Sequence, residues 1–267
     1  MPVRKGAPTP LHLGTGALCA ALLLTGCART PEPAPASPTR APRPPAASAP
    51  ASPSGPASSS AAPGDAWPVP ASRIPGLGPA TQARIPDGTS QALVVTGASA
   101  DGNTATTVLY ARNPAGRWDR AAGPWAAHNA LKGWTHDHHA GDLRSPIGVF
   151  RLGDAGGRLP DPGARLPYDQ DPGFAISGTG FLGEPLEGSF DHVIAIDYNR
   201  VPGRTPLDKE RPLGQGKGGG VWIHVDHGGP TQACVSLDRE DLRELLRALD
   251  PAREPVVVMG PGAELAR

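Results

Sequence analysis

Residues 67–267 predict a mainly β fold with few helices, on three grounds. Short runs rich in β-branched and aromatic residues recur between clusters of turn formers. Gly and Pro are dense throughout, which breaks up long helical stretches. Helical periodicity shows only once, near the C-terminal end.

The strand candidates, in chain order, are QALVVTG (91–97), TATTVLYAR (104–112), GVFRL (148–152), HVIAIDY (192–198), VWIHV (221–225) and PVVVMG (255–260). The one helix is DREDLRELLRALD, where Leu242, Leu245, Leu246 and Leu249 fall at i, i+3, i+4 and i+7 and form a single apolar face. Asp238 is its N-cap candidate and Pro251 stops it. Residues 153–188, including GGRLPDPGARLPYDQDPG, carry no period and read as a long loop. Such loops inside a domain are usually functional or mobile.

The N-terminus precedes all of this with Arg4, Lys5 and the apolar run LGTGALCAALLL. That pattern predicts a secretory signal peptide over residues 1–26. The run is too short to span a bilayer, which takes ~20 apolar residues. LTGC, ending at Cys27, resembles the lipobox of bacterial lipoproteins, which implies acylation of Cys27 and anchorage to the outer face of the cell membrane. The alternative is an ordinary signal peptide cleaved elsewhere. Residues 27–66 are almost entirely Pro, Ala and Ser, so they predict a disordered linker. Its proline content favours extended geometry, giving a tether of up to roughly 100 Å.

Charge is balanced at 25 Lys+Arg against 25 Asp+Glu, and no basic block occurs. Nucleic acid is therefore not an expected partner, since it needs concentrated positive surface. Of three cysteines, Cys19 leaves with the signal and Cys27 would be capped by lipid, so Cys234 is the one free thiol. A lone thiol in an exported protein is flagged as reactive. The domain is expected to be a monomer.

Cys234 sits between a strand candidate and the helix candidate, and a helix N-terminus there would favour a thiolate. His224, at the end of VWIHV, is placed to serve as its base, with His227 as the alternative base. Backbone N–H groups at Ala233 and Cys234 could hold a developing oxyanion. Two other readings compete. Cys234 could be a small buried hydrophobe. His136, His138 and His139 in WTHDHHAGD, with His224, Asp226 and His227 in HVDH, could form a zinc site. Against zinc, no helical H-E-x-x-H occurs, and the HDHH run reads as a solvated loop; no metal is expected.

Two separated motifs, WIHV…PTQACVSL and GDLRSPIGVF (141–150), resemble the L,D-transpeptidase (YkuD-type) catalytic domain family. AIDYN and the closing LLRALDP…PVVVMG are similar to its actinobacterial branch, and the resemblance covers roughly residues 70–260. It implies a β-sandwich or barrel with a helix after the catalytic cysteine. Cys234 would be the nucleophile and His224 the base, acting on peptidoglycan stem peptides to form 3→3 cross-links, or hydrolysing the acyl-enzyme, without cofactor. Thr231, Ser236, Asp142, Ser145, Pro146 and Gly148 would flank the site as scaffold. The sequence departs from the family pattern at Ala233, where glycine is usual, and at Gln232 and Ser236, where the commonest branch has histidine and arginine. A catalytically idle peptidoglycan-binding lipoprotein is the alternative of a different class.

Overall fold

The structure, a computed structural model, describes residues 72–267. The expected signal peptide, the expected lipidation site Cys27 and the expected 27–66 linker lie outside the described residues. Among the described residues, twelve strands and three short α-helices follow one another. In chain order they are α1 (Pro79–Gln82), β1 (Gln91–Gly97), β2 (Thr104–Arg112), β3 (Trp118–His128), β4 (Trp134–Thr135), β5 (Ser145–Pro146) and β6 (Gly148–Arg151). Then come β7 (Ala155–Gly157), β8 (Tyr168–Gln170), β9 (Val193–Ala195), β10 (Trp222–Val225), β11 (Val235–Leu237), α2 (Arg239–Ala248), β12 (Val256–Pro261) and α3 (Gly262–Leu265). Among the described residues no helix is long and apolar enough to cross a membrane.

Ten strands form one mixed sheet in the order β6-β12-β1-β2-β3-β11-β10-β9-β7-β8, and β4 pairs with β5 apart from it. The mainly β expectation with few helices holds. β1 and β12 run parallel and are buried along nearly their whole length. Their near-continuous apolar sequences follow from this, because both faces are covered. Leu93, Val95, Val257 and Met259 face the larger core, while Ala92, Val94, Val256 and Val258 face a smaller one closed by Ile74, Leu77, Ile85 and Leu265. The leucine face of α2 enters the larger core through Leu242, Leu245, Leu246 and Leu249, all fully buried. Asp238 caps the helix by accepting from the Glu240 N–H at 2.9 Å.

Four expectations are corrected. β3, the longest strand, was not foreseen, because WDRAAGPWAAH is poor in β-formers apart from its tryptophans. It is specified by pairing with β2, whose register shifts between Thr107 and Tyr110, across from Gly123 and Pro124. A bulge admits a proline that has no N–H to give the ladder. The 153–188 stretch contains β7 and β8, which pair in parallel. The strand expected over 192–198 is cut to Val193–Ala195, because the chain turns at Asp197 to enclose Arg200. Lastly, the helix begins where expected, after Asp238, but Cys234 does not abut it. β11 intervenes, and α2 starts only at Arg239.

The Arg200 guanidinium is 4% exposed and bonds Asp154 at 2.7 Å and Asp197 at 2.5 Å. Removing it would leave two buried carboxylates without a counter-charge. Arg200→Ala is therefore expected to lower unfolding free energy by about 3–5 kcal/mol, measured by urea titration at neutral pH. A loss under ~1 kcal/mol would mean that water already compensates these carboxylates.

Candidate active site

β10 and β11 are parallel neighbours in the register Ile223 with Val235 and His224 with Ser236. Parallel partners point to the same face, so the sulfur of Cys234, one residue before β11, lies beside Trp222. The Trp222 N–H donates to Sγ at 3.4 Å, and the thiol donates to the Gly220 carbonyl at 3.7 Å. His224 stands two residues further along the same face. It and Cys234 line one cavity of about 450 Å³, together with His227, Thr231, Ala233, His138 and the Gly218–Gly220 run.

The loop between the strands is held from both ends. Asp226 donates its N–H to Leu237 at 2.7 Å, while its carboxylate accepts from Ser236 Oγ at 2.6 Å and His128 Nδ1 at 2.9 Å. Burial works against the Asp226 anion, but these donors keep its carboxyl below the usual value. At the other end Thr231 bridges to Ala130. Thr231 Oγ1 donates to the Cys234 carbonyl at 2.7 Å, and Ser145 Oγ donates to the same oxygen at 3.3 Å. Two hydroxyls thus fix the peptide unit that follows the sulfur. Among the described residues the N–H groups of Ala233 and Cys234 have no hydrogen-bond partner, as an oxyanion hole requires.

Ala233 does not have positive φ, so its methyl group carries no left-handed backbone strain, and it packs partly buried against the core. The glycines that do need φ > 0 are elsewhere. Gly218 and Gly219 sit at φ 66° and 144°, and a Cβ on Gly218 would come 2.8 Å from His138 Nε2.

His224 donates Nδ1–H to the Val225 carbonyl at 2.9 Å, which leaves Nε2 as the basic nitrogen. Phe190 packs edge-on at 5.4 Å and His227 stacks at 5.8 Å with 11° between planes. Burial pushes the His224 imidazole down to about 4 and the Cys234 thiol up to about 11. At neutral pH the resting pair is therefore a neutral thiol and a neutral imidazole. Among the described residues no hydrogen bond joins them. The expected thiolate at a helix N-terminus is corrected here, since β11 separates Cys234 from α2 and burial outweighs any dipole. The chemistry left to the pair is base-assisted attack, with the proton moving from Sγ to Nε2 as the sulfur closes on a carbonyl.

His227 is paired by Nδ1 with Glu184 Oε1 at 3.1 Å, and both side chains are largely buried at 6% and 12% exposure. Asp142 reaches the cavity indirectly. It accepts from the Arg144 and His139 N–H groups at 2.9 Å each and lies 3.0 Å from Nδ1 of the buried His138. The HDHH run is only partly a solvated loop: His136 and His139 are exposed, but His138 is 4% exposed and lines the cavity. Among the described residues no three metal-ligating side chains converge. Pro146 and Gly148 stand away from the cavity, opposite Thr135 and Met259. Sequence reasoning missed Glu184, Phe190 and the glycine run. Only GGG left a trace, as a break between strands. No protein-family model matches the chain, and no curated protein is significantly similar to it.

His224 links this site to stability. The unfolded imidazole titrates at 6.5 and the folded one near 4, so within that window the unfolded state binds the extra proton. Stability must therefore fall as pH drops from 6.5 toward 4, by about 3 kcal/mol from this residue. Thermal melts against pH are expected to show that loss in the wild type and a shallower one in His224→Gln. Equal slopes would place His224 in water.

Proposed function

We propose that the protein is a cell-wall cysteine acyltransferase of the L,D-transpeptidase (YkuD) type, lipid-anchored through Cys27 on the outer face of the cell membrane. Its β-sandwich or barrel-like architecture and its lack of a cofactor are part of that proposal. The observation that carries the reading is the meeting of two distant motifs at the nucleophile. Ser145 of GDLRSPIGVF donates to the backbone carbonyl of Cys234 across 89 residues, in a cavity that His224 shares.

In this reading the carbonyl of the third stem-peptide residue, a diaminopimelate, enters the cavity and displaces water. Sγ attacks it as His224 Nε2 takes the thiol proton, and the N–H groups of Ala233 and Cys234 receive the oxyanion. His224 then protonates the leaving D-alanine amine. An amine from a neighbouring stem resolves the thioester to a 3→3 cross-link, and water resolves it to a shortened stem. The cavity volume suits a peptide segment held at its reacting end.

A second reading, an idle peptidoglycan-binding module, draws on the raised thiol and the absence of a hydrogen bond from Sγ to His224. A carbapenem separates the two, because its strained amide offers an electrophile to any competent site. Intact mass after incubation is expected to show one adduct per wild-type chain and none on Cys234→Ala. His224→Gln is expected to acylate about 100-fold more slowly. A folded, reduced wild type without an adduct sinks the transferase reading in favour of the binding module.

A further inference from the structure

We propose that His227, oriented by Glu184, is a second general base of the cavity, taking the proton of the incoming acceptor amine while His224 serves the Cys234 sulfur. The inference rests on the acyl-transfer reading above. The reaction needs two proton transfers of different kinds. The thiol proton leaves during acylation, and an amine proton leaves as the new amide forms.

The two imidazoles are built differently. His224 has only the Val225 carbonyl on Nδ1 and is enclosed by Phe190 and His227, so a charge on it is poorly supported. His227 has a carboxylate on Nδ1 at 3.1 Å, which supports the imidazolium formed when Nε2 accepts a proton. This is the carboxylate–imidazole arrangement of a positioned base. Both rings line the same cavity as Cys234.

Glu184 is set firmly for that role. Its carboxylate also accepts from the Leu182 N–H at 2.7 Å. Backbone donors, its own residue's foremost, hold its carboxyl below the usual value. It occupies a slot that two glycines leave open, since a Cβ at Gly180 or at Gly229 would collide with Oε1. Glu184 is thus a positioning residue, and the hairpin that carries it also supplies Phe181 and Leu186 to the cavity wall.

The step balances. The acceptor nitrogen bonds to the thioester carbonyl carbon, the C–Sγ bond breaks, and the amine proton passes to His227 Nε2 and then to water. The departing sulfur takes a proton from water through His224, which balances the proton that the amine releases to water.

The test separates the two half-reactions on the full-length protein. Cys234 is loaded with a diaminopimelate-containing tetrapeptide, then chased with glycinamide, and acyl loss is followed by mass at neutral pH. His227→Gln is expected to slow the chase about 100-fold and Glu184→Gln to slow it less, while loading changes far less than the chase in both. The inference is overturned if the chase rates match the wild type. It is equally overturned if loading and chase fall together, as a mere tether for the hairpin would give. A wild type that never loads fails at the earlier step and sinks the transferase reading itself.

Discussion

Strands β10 and β11 lie parallel and side by side, although no helix links them. Parallel neighbours ordinarily need a crossover of a dozen or more residues, and here residues 226–234 turn back without one. Asp226 makes that possible by gathering Ser236, His128 and the Gly228 N–H onto one carboxylate while its own N–H holds Leu237. The return then locks against the chain just after β3 through Thr231 and Ala130. The consequence is positional. Cys234 comes to rest beside Trp222, two residues from His224 on the same face. A slip of one residue would turn the sulfur away from the cavity.

The same dependence explains why GDLRSPIGVF matters although only its first part comes near the site. Its serine is fully buried and accepts from the Ala130 N–H at 3.1 Å while donating to the Cys234 carbonyl. It therefore ties the end of the return loop and the chain after β3 to one hydroxyl. Asp142 shapes the turn that carries His138 into the cavity wall. Neither residue needs to touch a substrate to matter.

How much was legible follows from where the information lies. β1, β2, β10, β12 and α2 were readable because each carries its burial pattern locally. β1 and β12 are apolar throughout, and α2 is apolar on one face. β3 was not readable, since its identity comes from its partner β2 and from two tryptophans rather than from propensity. At the site, Cys234, His224 and His227 could be named from spacing, and Thr231 and Ser145 from motif. Glu184 could not be, because its link to His227 spans 43 residues and its loop has no period. Placing Cys234 directly beside a helix N-terminus failed for a related reason. Val-Ser-Leu before a good N-cap fits either a strand end or a helix lead-in, and only the pairing with β10 decides between them.

That pairing also decides the electrostatics. By drawing Cys234 against β10 it half-buries the sulfur, and that burial raises the thiol while the fuller burial of His224 lowers its imidazole. An ion pair would be poorly stabilised there, because both charges would lose hydration and among the described residues the sulfur has only one N–H donor, from Trp222. A neutral pair avoids that penalty, but it leaves the nucleophile weak until a carbonyl sits beside it. In the acyl-transfer reading this favours a site that reacts only when filled. The negative charge then passes directly from sulfur to an oxygen facing two unpaired N–H groups, and never rests on a solitary buried thiolate. The hydroxyls of Thr231 and Ser145 serve that transfer by fixing the peptide that follows the sulfur. Without them the chain just after the sulfur would lose its two anchors to Thr231 and Ser145.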